Sequence, residues 1–454
     1  MERAALEALG RAALIELILQ LQERVVALET EVARLRPPKT PTNSSVPPSQ
    51  GFKANRAGGR RQKRGPKRGH LGCSRRRVEP DVVVACRPTE CGHCGADVAA
   101  TEQRRVQRRQ VVELPELRPV VVEAQVYAAD CPQCGERTTG TLPPGFEAGR
   151  TFGPRLEALL GYLHYRHHLA HERLREVCAS VFGVTLSAGG VAGVLDRLGE
   201  RLGPEAERLG VAVRASPVIG SDETGVRVDG QTWWHWVFQT PTASYHTVAP
   251  SRGGQVIRDF LGDTVPAVWG SDAYGAQLAT VADAHQLCLS HQIRDLTYAA
   301  EADHADGQRW ARQLRHVFGR AIRLHRERAH VTPASFARRR TRIERAADRL
   351  ICEHFLRPGE AATLQRRYQK HWDALFIFLH RDDVEPTNNA SERDLRNVVI
   401  HEKVTGGYRS PRGAAHGAVF ATLLATARKR GHNLFEQLCV LAGTSPLQAL
   451  HPAT

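Results

Sequence analysis

Three acidic residues stand in settings that suit metal-assisted phosphoryl transfer. Asp222 ends the apolar run Val218-Ile219-Gly220-Ser221, Asp272 ends Ala267-Val268-Trp269-Gly270-Ser271, and Glu392 falls on the first turn of a helix opened by Thr387, Asn388 and Asn389. Two hard divalent cations about 3.5 to 4 Å apart need bridging and terminal carboxylates, and two Asp are too few to hold both. A third acid is required, and Glu392 is the best-placed candidate. Glu223 and Asp229 are the alternatives. A strand's period of two turns Glu223 to the face opposite Asp222, and Asp229 belongs to a turn with Gly230, so both read as bystanders.

A second constellation is made of thiols. Cys91-Gly92-His93-Cys94-Gly95 and Cys131-Pro132-Gln133-Cys134-Gly135 each put two cysteines on a tight turn, with Gly where a positive φ is commonly needed. Cys91, Cys94, Cys131 and Cys134 predict one tetrahedral Zn2+ site, structural because four protein ligands leave no position for substrate. His93 could replace a cysteine, but the all-cysteine set is simpler. The alternating stretches 109–113 and 120–127 read as strands of a zinc ribbon. Cys73, Cys86, Cys178, Cys352 and Cys439 stand alone as packing or surface residues.

The acids need a scaffold. Val218 to Val228, Thr232 to Gln239 and Tyr245 to Val248 read as consecutive strands, the first two joined at Asp229-Gly230, followed by a helix from Gln255 to Leu261 and a strand ending at Asp272. A β-β-β-α-β order with an Asp on the first and fourth strands is the layout of a ribonuclease-H-like core, where those strands are neighbours and Asp222 can face Asp272. The gap from Asp272 to Glu392 holds an Arg-rich helical insertion over 300–375. Upstream, helical segments at 155–165, 171–181 and 188–202, with Gly183 as a turn and Ser187 as an N-cap, suit a helix-turn-helix, or a small helical unit that merely packs.

Leu14, Leu21, Leu28 and Leu35, with Ile18, Val25 and Val32 between them, form a heptad seam that predicts a parallel two-stranded coiled coil. Pro37 and Pro38 end it, and a Pro/Ser/Gly-rich linker follows. Between Lys53 and Arg77 that linker carries eleven Lys/Arg and no Asp/Glu; Arg60, Arg61, Lys63, Arg64, Lys67, Arg68, Arg75, Arg76 and Arg77 are candidate phosphate contacts. The chain as a whole has 63 Lys+Arg against 48 Asp+Glu, net +15, so a polyanion is the first partner to expect. Residues 216–300 carry a net −4 and 301–370 a net +9, an acidic centre beside a basic helical segment. No apolar run nears the ~18 residues of a membrane helix. Glu2, Arg3, Glu7 and Arg11 argue against a signal peptide, so the expectation is a cytoplasmic protein without a membrane partner.

The ordered set resembles the large transposase subunit of bacterial insertion sequences of family sixty-six. It comprises the zipper, Asn43-Ser44-Ser45 with Pro47-Pro48-Ser49, the basic stretch, the CxxC pairs, Ser221-Asp222-Glu223-Thr224, Gly270-Ser271-Asp272-Ala273-Tyr274, Cys288-x-x-His291 and Asn388-Asn389-Ala390-Ser391-Glu392-Arg393. The resemblance covers nearly the whole chain and implies a DDE transposase, nucleoid-associated in a bacterium. Asp222, Asp272 and Glu392 would be its triad on two Mg2+, with Mn2+ as a substitute, and small accessory proteins of the same element would be partners. Cys288, His291 and Arg294 look like the element that follows the second Asp in such enzymes, either a helix packing on the sheet or a direct contact of His291 with DNA. Asn389 and Arg393 are further candidate supports.

The fold class expected is multidomain α+β. It runs from a coiled-coil helix (1–36) and a basic linker (37–80) through a four-cysteine zinc ribbon (81–145) to a helical DNA-binding segment (150–212). A ribonuclease-H-like catalytic core (213–299 and 376–410) follows, with its helical insertion (300–375) and a C-terminal helical segment (411–454). The function expected is cleavage at transposon ends and strand transfer into target DNA, with homodimerisation or higher assembly through residues 14–35. The rivals are a zipper-dimerised zinc-ribbon DNA-binding protein that does not cut, and a structure-selective nuclease with the same core.

Overall fold

A computed structural model describes residues 10–35, 37–40, 43–44, 72, 75–147, 149–443 and 445. The first helix, α1 (Arg11–Leu35), leaves Ile18, Leu21 and Val25 of its heptad seam exposed on the single chain. Arg60, Arg61, Lys63, Arg64, Lys67 and Arg68 lie outside the described residues; Arg75, Arg76 and Arg77 are exposed.

Two three-residue strands, β1 (Ala128–Asp130) and β2 (Arg137–Thr139), pair antiparallel across the second CxxC turn. The ribbon strands expected at 109–113 and 120–127 are not formed. The physical reason is that Val106, Val111, Val112, Val120 and Val121 stay exposed, with no second apolar face to cover them, and alternation alone does not hold a strand.

Three helices precede the main sheet: α2 (Pro154–Gly161), running into a π-turn at Tyr162–Arg166, α3 (His171–Phe182) and α4 (Ala188–Arg214). Gly183 ends α3 at φ 65°, and Ser187 Oγ accepts the Gly190 N–H at 2.9 Å, so the stop and start signals act as the sequence suggests. The third helix runs on to Arg214 and buries Val191, Leu195, Leu198 and Leu202 in the core. Its first turn offers Ala188, Gly189 and Gly190, none of which carries a side-chain donor for base edges.

The sheet is built from β3 (Val218–Val228), β4 (Gln231–Gln239), β5 (Ser244–Ala249), α5 (Gln255–Leu261), β6 (Val268–Ser271), the short α6 (Gly275–Leu278) and β7 (His285–Leu287). Asp229 and Gly230, at φ 48° and 72°, make the tight turn between β3 and β4. The strand order is β5-β4-β3-β6-β7, with β3 antiparallel to β4 and parallel to β6. Thus the first and fourth strands of this region are hydrogen-bonded neighbours. One face buries Ile219, Trp236, Phe238 and Trp269 against Ile257 and Phe260 of α5. By alternation the other face carries Asp222, His235, Gln239 and His246.

Helices α7 (Leu289–Ala302), α8 (Ala305–Arg326), α9 (Pro333–Asp348), α10 (Glu360–Lys370) and α11 (Ile377–His380) follow, then α12 (Asn389–Thr405), α13 (Pro411–Lys429) and α14 (Leu434–Ala442). The inserted helices surround Trp310, Phe318, Tyr368 and Phe378 in a core continuous with Val268 and Leu287 of the sheet. Helix α13 closes the outer strand: Thr422 Oγ1 accepts the His246 N–H at 2.9 Å and Thr426 Oγ1 the Ser244 N–H at 3.0 Å. No helix among the described residues is long and apolar enough to cross a membrane.

After α12 the chain returns to β3, where the Tyr408 N–H donates to Arg227 O at 2.8 Å. Gly407 makes this approach at φ 93°, and a Cβ there would lie 2.4 Å from Arg227 O. Gly407→Ala is expected to cost about 2–4 kcal/mol, read as a fall in the urea midpoint. Gly406→Ala, at φ 75° in open space, is expected to cost only about 1–2 kcal/mol.

Candidate active site

The parallel register Val218↔Val268, Ile219↔Trp269 and Gly220↔Gly270 brings Asp222 and Asp272 to equivalent places, each two residues beyond a paired glycine and on the same face. Each carboxylate is fixed by its own backbone: Asp222 Oδ1 accepts the Glu223 N–H at 2.9 Å and Asp272 Oδ1 the Tyr274 N–H at 2.9 Å. Burial holds the Asp222 carboxyl well above the usual carboxylate range, and the negative charges of Glu223, Asp272 and Glu392 push it further. The three acids singled out in the sequence therefore converge on one region.

Glu392 arrives from α12 and accepts from Arg294 Nη2 at 3.2 Å, with His291 Nε2 at 3.7 Å from the same oxygen. Burial, then the Arg294 charge, hold His291 below its ordinary range. His291 and Arg294, two turn-spaced residues of α7, thus stand beside Glu392.

Cys288 has a different job. Its N–H donates to Ser271 O at 2.8 Å, and its Sγ accepts the Asn388 N–H at 3.1 Å. Asn388 Nδ2 in turn donates to Ser221 O at 2.6 Å, and the Leu289 N–H donates to Pro386 O at 2.9 Å. These bonds tie the start of α12 to the ends of β3 and β6, next to both aspartates. Burial pushes the Cys288 thiol up to about 11, so it is a protonated packing group and neither a nucleophile nor a ligand. Asn389 and Arg393 are exposed and line a cavity that adjoins the acids.

Glu223 lies on the opposite face, as its parity requires, yet it is no bystander. Its Oε1 accepts from Arg252 Nε at 2.9 Å and Nη2 at 2.8 Å, and its Oε2 from Gln277 Nε2 at 2.8 Å. Gln277 also donates to Ser221 Oγ at 3.2 Å and accepts from Trp269 Nε1 at 3.0 Å. Arg252 is stacked over Tyr274 and Trp234, 3.9 and 4.6 Å from the ring centroids. This network braces the strands that carry both aspartates. The local sequence hides it, because Arg252 is 29 positions from Glu223 and joins it only through the fold.

Among the described residues, no three His, Cys, Asp or Glu side chains stand close enough, as placed, to hold an ion. The donor chemistry nevertheless suits hard divalent cations: the set is all carboxylate, and Glu223, Asp272 and Glu392 all press negative charge on Asp222 although Arg252 and Arg294 pair with two of them. As placed, the four cysteines stand as two pairs, Cys91 with Cys94 and Cys131 with Cys134. Within each pair the turn is the expected one, with Gly95 at φ 74° and Gly135 at φ 73°. Backbone N–H groups at His93 and Cys94 lower the Cys91 thiol, and those at Cys134 and Gln133 lower Cys131, which favours the thiolate a soft metal ion needs.

The site is thus an acid-centred mixed sheet with a glutamate brought to it by a helix late in the chain. Residues 149–416 match the Transposase IS66 family, and the chain belongs to it. It is also 23% identical over 425 residues, 83% of its length and 74% of the relative's, to the uncharacterized protein y4hP of Sinorhizobium fredii (strain NBRC 101917 / NGR234).

Because the folded Asp222 carboxyl titrates above its unfolded value, its ionisation opposes folding. That penalty is absent below the unfolded pKa and grows as pH rises toward the folded one. In chelator, Asp222→Asn is expected to melt higher than the parent at pH 7, with the gap closing by about pH 4. Equal melting at both values would show that neither burial nor the neighbouring carboxylates disfavour the Asp222 charge in the folded state.

Proposed function

We propose that this chain is a DDE transposase that cuts at the ends of its insertion sequence and transfers the resulting 3′-hydroxyl into target DNA. The observation that carries this reading is the placement of Asp222 on β3 and Asp272 just past the end of its parallel neighbour β6, with Glu392 delivered near both. Membership of the transposase family supports it, and the strand order supports a ribonuclease-H-like core. A DNA-binding protein that does not cut would have no use for this convergence of acids.

Asp222, Asp272 and Glu392 would hold two Mg2+, for which Mn2+ can substitute. When bound, the cations supply activation of the attacking oxygen and stabilisation of the leaving one, in line. In the first step a water oxygen bonds to phosphorus, the P–O3′ bond breaks, and the freed 3′-oxygen takes up a proton. In the second, that 3′-hydroxyl oxygen bonds to a target phosphorus as the target's P–O3′ bond breaks; its proton passes to solvent and the departing 3′-oxygen takes one up. Arg294 sets the Glu392 carboxylate and balances its charge, while the bonds from Cys288 and Asn388 fix the distance between α12 and the two strands. Glu223, held by Arg252 and Gln277, keeps the Asp222 strand and the Asp272 loop in one relation.

Cys91, Cys94, Cys131 and Cys134 would share one structural Zn2+ once the two turns close on each other. Arg75, Arg76 and Arg77, with the linker cations before them, would hold DNA phosphates in the nucleoid. The exposed seam of α1 would pair with a second copy, and accessory proteins of the same element would complete the assembly.

Replacing Asp222, Asp272 or Glu392 singly by the amide is expected to reduce strand cleavage of the element's own ends about a thousandfold or more while DNA binding persists. Retained cleavage would remove that residue from the triad. Separately, elemental analysis of the purified protein is expected to give about one zinc per chain, lost in Cys91→Ser. An equal zinc content in the variant would refute the shared site.

A further inference from the structure

A cavity of about 470 Å3 opens beside the acids, and neither the triad nor the zinc reading uses it. Its floor is Gly220 and Gly270, paired in register, each two residues before Asp222 or Asp272 and on the same face. Two residues along a strand is about 6.6 Å, so the floor is within reach of a nucleoside whose phosphate sits at the acids. A Cβ on Gly270 would meet nothing nearer than Ile219 O at 3.8 Å, so the floor is open there, whereas over Gly220 the Gln239 side-chain amide lies 2.3 Å from where a Cβ would be.

The walls are mixed. Ile322 of α8 and Val384 give apolar surface, whereas Arg326 and Arg393 give positive charge. His325 also lines the space; its Nε2 is 3.7 Å from Glu385, and its Nδ1 is buried with no hydrogen-bond partner. The volume falls in the range of ligand pockets; three cations line it, Arg326, Arg393 and Lys429, against the two carboxylates Asp383 and Glu385, and an apolar wall with that positive balance matches a base joined to phosphates. Helix α8 also leads to the cavity from solvent. Arg312, Arg320 and Arg323 line a second, shallow basic depression on α8, and Arg326 continues the charge to the cavity mouth.

We propose that this cavity receives one unstacked nucleotide of the DNA strand whose scissile phosphate lies at Asp222, Asp272 and Glu392. The proposal rests on the transposase reading. Extruding a base costs a few kcal/mol of stacking and pairing, which contacts in the cavity and along α8 offset.

The test uses the full-length protein and a duplex carrying the element's own end, with 2-aminopurine placed in turn at each position flanking the cut. Ca2+ replaces Mg2+ to hold the uncut complex. One position is expected to brighten severalfold on binding. Ile322→Phe, which fills the cavity, is expected to abolish that rise while DNA affinity stays within about threefold. Should that variant fold poorly, Arg326→Ala at an exposed position is expected to lower the rise instead. No brightening at any position, or brightening unchanged in both variants, would overturn the cavity's role. Cleavage of the same duplex in Mg2+ separates the two claims. Cleavage without brightening sinks the cavity alone, whereas no cleavage by the parent protein even with the element's accessory proteins added sinks the transposase reading and the proposal with it.

Discussion

Crowded negative charge is the constraint around which this structure is arranged. Parallel pairing of β3 with β6 sets Asp222 beside Asp272, and α12 adds Glu392, so three carboxylates share one poorly solvated region. Isolated carboxylates in such a place favour the proton over the charge, which is the direction of the Asp222 shift. Two arginines manage part of the excess. Arg252 neutralises Glu223 beneath the sheet, and Arg294 meets Glu392 above it. What remains is excess negative charge, which under the proposed function would attract divalent cations and, through them, phosphate.

Such a field is useful only if the acids cannot relax away from one another. The bonds joining Cys288, Asn388, Ser221 and Ser271 give that rigidity at the meeting point of α12, β3 and β6. The inserted helices make the same contribution on a larger scale. They separate Asp272 from Glu392 by 120 positions, yet share a continuous core with Val268 and Leu287, so the long excursion ends where it began. On the Asp222 face of the sheet, at its β5 edge, Asp394 is buried and accepts from Ser244 Oγ at 2.6 Å and pairs with Lys429 at 3.1 Å. That pairing locks α12, α13 and β5 together, because leaving the buried charge unpaired would be strongly destabilising.

The parts of the molecule governed by local rules were legible in the sequence. Asp229-Gly230 set the hairpin, Gly183 and Ser187 punctuated the helices, and the apolar runs before Asp222 and Asp272 marked the strands. Strand β7 escaped notice because three residues are too few to show a period. The role of Glu223 was hidden because parity tells which face it occupies, and not that Arg252 and Gln277 wait there. The segment around the cysteines shows the opposite failure. Its alternation resembled strands, but alternation needs a partner surface, and Val106, Val111 and Val121 find none in the single chain. The candidate acids could be chosen from sequence, whereas the parts that hold them depend on contacts between distant residues.

The most direct measurement is of cation binding itself, by the Mn2+ paramagnetic resonance signal titrated with the protein and its end DNA. Binding of about two Mn2+ per chain is expected, abolished when Asp222→Asn, Asp272→Asn and Glu392→Gln are combined in a variant that still binds DNA. Equal Mn2+ uptake by parent and variant would contradict the assignment of these carboxylates as the metal-holding centre.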